Sequence, residues 1–211
     1  MPEWRGEAIG ARRGVAFNHG EVHMAIKIYI DQGHNPVNPN AGAEGNGLRE
    51  QDIVYTIGQS LARLLRANGN FSVRLSRPEP TTQLGTSNSS SLAARVNDAN
   101  SWGADYFISL HTNASEQSTA TGSEALVYST NSTAASLASR ILYWLNQITG
   151  LQNRGIVARP GLYVLRRTQM PAVLVELGFI TNYYDATLMS TQPELFAQGV
   201  YYGILNYLGL L

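Results

Sequence analysis

The stretch Ile26 to His34, IKIYIDQGH, decides how this chain is read. Ile26, Ile28, Tyr29 and Ile30 crowd around one lysine. The run is short and rich in β-branched side chains, which predicts a strand buried on both faces. It ends abruptly in Asp31, Gln32, Gly33 and His34, and a loop rich in Asn, Pro and Gly continues to residue 46. Polar groups at the end of a buried strand cost free energy unless they are partnered or employed. The chain has only four histidines, which makes this one worth following.

Outward from that strand, helices and strands alternate. A helix fits 48–67, with Ile53, Ile57, Leu61, Leu64 and Leu65 on one stripe and Asn68-Gly69 as its stop. Phe71–Leu75 alternates like a strand. Residues 81–91 read as a loop ending in a helix N-cap at Ser90 or Ser91, ahead of Leu92, Val96 and Ala99. ADYFISLH at 104–111 and GSEALVYS at 122–129 are strands. A helix over 133–149 turns Leu137, Ile141, Leu142, Leu145 and Ile148 inward. LYVLR at 162–166 and AVLVEL at 172–177 read as two more strands, and a last helix over 193–208 carries Phe196, Val200 and Ile204 on one face. The alternation predicts an α/β three-layer sandwich, a mostly parallel central sheet of about six strands flanked by helices.

Composition bounds the function. With 211 residues, 44% hydrophobic and 14% charged, the chain suits one globular core. We expect a single domain at 24–211 and read residues 1–23, which show no periodic apolar pattern, as a non-structural extension or leader. Met24 is then a second possible start. That segment lacks the apolar core of a signal peptide, and His19 and His23 within it are read as solvated. No run approaches the roughly 20 apolar residues of a membrane span. The formal net charge of +0 gives no reason to expect a nucleic-acid partner. Cysteine is absent, so disulfides and thiolate metal sites are excluded. A monomer is expected.

In parallel sheets, ligands sit beyond the carboxyl ends of the strands. The chemistry-bearing residues there are Asp31 and His34, then His111 and Asn113, then Glu176. Two imidazoles and a carboxylate form a common catalytic zinc set. Glu44 and Glu50 compete for the carboxylate position. Glu50 sits in the first turn of a helix, where spacing alone favours a simple match to the helix dipole. Glu176 ends a strand apolar on both faces. It is either functional or buried against an arginine such as Arg166 or Arg167.

The segments IYIDQGH, GLREQDIVYTIGQSLARLL, SLAARVNDANSWGADYFISLHTNAS, GSEALVY and LYVLRRTQMPAVLVELGFITN, in order over about 26–208, resemble the zinc-dependent N-acetylmuramoyl-L-alanine amidases. These are catalytic domains of bacterial autolysins and phage endolysins. The resemblance implies one Zn2+ per chain on His34, Glu50 and His111, with Glu176 as catalytic base. It implies peptidoglycan as substrate, cut between N-acetylmuramic acid and L-alanine at the bacterial cell wall. Without an evident signal peptide, the route to the wall is open. Asp31, Asn113 and Arg166 are candidates for orienting ligands or binding substrate. Gln32 and Asn35 depart from the family's usual Pro and Gly, which bears on the rim of the site. No long insert follows Asn113, so no autoinhibitory helix is expected, and no wall-binding module is seen. A zinc exopeptidase or deacylase of similar fold is the first alternative; Val37, where His-x-x-Glu carboxypeptidases carry glutamate, counts against it. A non-catalytic peptidoglycan-binding module is the second.

Overall fold

Strand β1, Ile26–Gln32, forms where the β-branched run predicts it. The computed structural model describes residues 25–211. The readings of residues 1–23 and of Met24 lie outside the described residues. After β1 the chain makes a small hairpin, β2 (Glu44–Gly45) and β3 (Leu48–Arg49), then helix α1 (Glu50–Asn68) and strand β4 (Phe71–Leu75). Next come α2 (Asn88–Trp102), β5 (Tyr106–Asn113), β6 (Ser123–Val127) and α3 (Thr133–Thr149). The rest is β7 (Asn153–Ala158), α4 (Tyr163–Arg167), β8 (Ala172–Phe179), α5 (Tyr183–Thr191) and α6 (Pro193–Leu208).

The main sheet has the order β4-β1-β5-β8-β6-β7. The first four of these are mutually parallel; β6 runs antiparallel to β8, and β7 parallel to β6. From β1 the chain steps to β4 on one side and then to β5 on the other. The order therefore reverses beside β1, and a crevice opens at the carboxyl ends of β1 and β5.

Alternate residues of each central strand feed two cores. Ile28, Ile30, Ile108, Leu110, Val173, Val175 and Leu177 face the helical layer of α1, α3 and α6. Tyr29, Phe107, Ala172 and Leu174 face the thinner layer of α2 and α4. The larger core gains from a close helix pair. A Cβ at Gly199 or Gly203 of α6 would lie 2.6 and 2.4 Å from the Cα atoms of Leu145 and Ile141. Only glycine lets α3 and α6 approach so far, and that contact buries both apolar stripes.

Several expectations need correction. LYVLR is not a strand: residues 163–167 form the short helix α4, which turns Val164 and Leu165 into the second core. A five-residue apolar run satisfies either period, and only packing decides. The sixth strand of the sheet is instead β7, unanticipated because NRGIVA is a half-exposed edge with Gly155 at φ 89° and no alternation. The N-cap of α2 is neither Ser90 nor Ser91 but Ser87, whose hydroxyl accepts from the Ser90 N–H while Ser90 reaches back to the Ser87 N–H. Helix α1 starts at Glu50 rather than 48. Residues 44–49, read as loop and helix start, hold a hairpin turned by Asn46 and Gly47, both at positive φ (52° and 74°). Helix α5 was also not foreseen.

Candidate active site

Three elements carry His34, Glu50 and His111 to one point. His34 leaves β1 at φ 64°, a left-handed conformation that turns its ring back across the strand ends. His111 lies inside β5, and a register shift between His111 and Asn113 marks where β5 stops following β8 regularly. The β2–β3 hairpin reverses the chain so that α1 opens on Glu50. One ligand atom from each of the three lies within 4.8 Å of the others.

Glu50 is 3% exposed and fully occupied. Its Oε1 accepts the Thr112 N–H at 2.9 Å and lies 3.0 Å from His111 Nδ1. Its Oε2 accepts the Ala43 N–H at 2.9 Å and lies 3.1 Å from His34 Nε2. Burial opposes the charge, yet the imidazoles, His111 first, hold the Glu50 carboxyl well below the usual carboxylate range. The His111 imidazole, for its part, is pulled down by burial but raised overall by Glu50. Glycines leave room for this convergence. A Cβ on Gly33 would sit 2.5 Å from His111 Cε1, and one on Gly42 would sit 2.8 Å from Glu50 Oε2 and 2.9 Å from His34 Cδ2. Glu44, the other candidate carboxylate, is exposed on the hairpin opposite Arg49.

The donor set fits a metal ion of zinc type. It consists of two imidazoles and one carboxylate, with no thiolate, and His34 Nδ1 is buried without a hydrogen-bond partner. Among the described residues this is the group of His, Asp and Glu side chains close enough to hold a cation.

Glu176 stands beside the three, its backbone in register with His111 across the β5–β8 pair. Its Oε2 is buried without a partner, and among the described residues it forms no ion pair. Burial, together with the nearby Glu50 and Glu124 carboxylates, pushes its carboxyl up to about 7 against the pull of His111. The arginines weighed as its partners are elsewhere. Arg166 lines a different depression, with Tyr128, Ser129 and Thr168, which shares no residue with the recess beside the two imidazoles. Asn113 is at the rim, where its Nδ2 donates to Glu124 Oε1 at 2.6 Å. Glu124 in turn is the cross-strand neighbour of Glu176. Sequence reasoning passed over Glu124; its place in GSEALV, an acid opening an apolar strand, was the available signal.

Asp31 does not bond either imidazole. It is buried, accepts from Ser109 Oγ at 2.8 Å, and pairs with Arg95 of α2. Burial opposes its charge, and the Arg95 guanidinium outweighs burial and holds the carboxyl down. Arg95 is the second residue sequence reasoning missed, since one arginine on an amphipathic helix ordinarily faces solvent.

A family model described as N-acetylmuramoyl-L-alanine amidase matches residues 28–206. The chain is 37% identical over 184 residues to the N-acetylmuramoyl-L-alanine amidase LytC of Bacillus subtilis (strain 168), covering 85% of this chain and 35% of that protein. It is 35% identical to the N-acetylmuramoyl-L-alanine amidase CwlM of Bacillus licheniformis, covering 86% of this chain and 66% of the other. It therefore spans between about a third and two thirds of the length of these relatives. Among solved structures, the catalytic domain of the amidase CwlV from Bacillus (Paenibacillus) polymyxa var. colistinus superposes with a TM-score of 0.78 at 28% identity, covering 88% of this chain and 99% of that one. The fold, the converging His34, Glu50 and His111, and the match over nearly the whole described chain agree: this chain belongs to the N-acetylmuramoyl-L-alanine amidase family.

Proposed function

We propose that this chain is the catalytic part of a peptidoglycan hydrolase. It cuts the amide between the lactyl carbonyl of N-acetylmuramic acid and the L-alanine of the stem peptide. The observation that carries this is the convergence of His34, Glu50 and His111 beside Glu176, whose Oε2 is buried and unpaired, in a chain of this family. The three side chains would hold one Zn2+, which when bound supplies Lewis-acid polarisation of a carbonyl and lowers the pKa of water.

The chain's own residues do the rest. Glu176 takes a proton from the attacking water, for which a carboxyl raised to about 7 is suited, because it is part ionised near neutral pH. It then passes that proton to the leaving amine nitrogen of L-alanine. Its freedom from fixed hydrogen bonds at Oε2 lets it serve both partners in turn. Asn113 ties Glu124 at the rim and so fixes the carboxylate next to Glu176. Asp31 acts at a distance, by holding Arg95. The substrate places the enzyme at the bacterial cell wall. No helix of the described residues is long and apolar enough to cross a membrane. One chain carries the complete set of groups, so we infer that a monomer suffices.

Digestion of purified peptidoglycan, with mass spectrometry of the products, tests this. Free stem peptides beginning with L-alanine are expected. Cleavage inside the stem peptide would replace the amidase with a peptidase.

A further inference from the structure

The guanidinium of Arg95 touches four of the five consecutive residues 31–35. Its Nη1 donates to Asp31 Oδ1, to the Gln32 carbonyl at 2.7 Å and to Ser76 Oγ at 3.3 Å. Its Nη2 donates to the carbonyl of His34 and to Asn35 Oδ1 at 3.3 Å. Arg95 is 1% exposed, and so is Asp31. Burying such a pair is weak evidence for stability, because desolvation consumes most of what the attraction returns. Neutralising Asp31 would need only one of these contacts.

Apart from the one to Ser76, the remaining contacts fall on the turn that presents His34. That residue sits at φ 64°, a conformation that is strained for a side chain other than glycine and persists only where its surroundings over-determine it. Asn35 supplies the second half of the brace. It is 0% exposed, its N–H donates to the Asn40 carbonyl, and its Nδ2 donates to the carbonyls of Pro39 and Leu84 at 2.8 and 2.9 Å. The strained residue is thus clamped from both sides, and its ring is aimed at Glu50 and His111.

We propose that Arg95, with Asn35, is a positioning residue for the metal centre: the planar fork holds the His34 turn in its left-handed conformation and so presets the ligand geometry. This rests on reading His34 as a ligand. Lysine keeps the charge against Asp31 but not the fork, so Arg95→Lys separates positioning from charge balance.

The test uses the full chain. Zn2+ affinity is measured by competition with a chromophoric chelator, the visible absorption of the Co2+-substituted protein reports ligand geometry, and thermal midpoints are recorded without metal. The wild type binds one Zn2+. Arg95→Lys is expected to bind it about 10–100-fold more weakly, as is usual when a partner of a ligand is lost, with an altered Co2+ spectrum. Unchanged affinity and spectrum in the folded Lys variant, whatever its thermal midpoint, overturn the proposal and leave Arg95 a structural counter-ion. If Arg95→Lys does not fold, Asn35→Ala decides. It keeps the ion pair, and weaker Zn2+ binding there supports the brace whereas wild-type binding refutes it. A wild type that binds no Zn2+ would sink the ligand reading itself, a result distinct from the others.

Discussion

The two poles of the site are built in opposite ways. At the His34–Glu50 pole, the carboxylate and the turn are held by hydrogen bonds: both Glu50 oxygens accept backbone N–H groups, and Arg95 and Asn35 clamp the His34 turn. At the Glu176 pole, a half-buried carboxylate has one buried oxygen bonded to nothing. On the proposed mechanism, the difference follows from what each pole must do. Groups that hold a cation gain from being fixed before it arrives. A group that carries a proton must exchange partners during the reaction, and burial without partners raises its proton affinity toward the working pH.

The most damaging way to break this contrast is at the fixed pole. Glu50→Ala is expected to lose stoichiometric zinc. Turnover should fall by 10⁴ or more, on the order of the several kcal/mol that a Lewis acid contributes. Metal analysis and release of L-alanine-terminated peptides check both. Retained zinc in Glu50→Ala, with loss in Glu44→Ala, would show that the hairpin carboxylate is the ligand after all.

Glu176→Gln probes the free pole. The amide is nearly isosteric, so one zinc per chain should persist and the fold should not be destabilised, while turnover falls by about 10²–10⁴, the usual general acid–base contribution. Binding to intact peptidoglycan should survive. A Gln variant that is unstable but cleaves at a near-normal rate would instead make Glu176 structural.

The two poles also predict opposite pH effects in the metal-free protein. The Glu176 carboxyl is raised from 4.5 to about 7 in the fold. Its contribution is full below pH 4.5 and is lost as pH rises through about 7. Glu176→Gln should therefore match the wild type near pH 4 and exceed it by about 1–3 kcal/mol above pH 7. Glu50 is depressed, so its stabilisation is present above about pH 4.5 and lost as pH falls further. Both proteins share that acid limb. Denaturant midpoints at four pH values are enough, and curves that stay parallel throughout would rule out a raised Glu176.

The smallest effects are expected away from both poles. Glu44→Ala should change stability by no more than about 0.5 kcal/mol, as an exposed residue outside the cluster. A protein starting at Met24 should likewise keep its thermal midpoint and activity. A drop of many degrees on truncation would show that residues 1–23 pack against the domain.

Much of the fold was legible because long elements declare their period. Helix 133–149 and helix 193–208 run as the apolar stripes predict, and β1, β4, β5 and β8 fall where short apolar or alternating runs lie. Short elements did not declare theirs. LYVLR suited a strand by composition and became a helix because α4 must lay Val164 and Leu165 against β8. The edge strand β7 is half exposed, so it carries no pattern that burial would impose.

At the site, the sequence by itself determined which groups were available: a histidine after β1, another near the end of β5, and a carboxylate in an apolar strand. Chemistry limits the choice there, since few residue types bind metal or carry protons, and buried polar groups stand out against an apolar run. Which carboxylate meets the histidines was decided only by the tertiary structure, through a two-strand hairpin that turns Glu44 outward and brings Glu50 back. The role of Arg95 was decided there too. In the sequence it lies more than sixty residues from Asp31, and only the docking of α2 over the end of β1 lays its guanidinium on the His34 turn. Contacts of that kind depend on where separate elements come to rest, and no local pattern of residues encodes them.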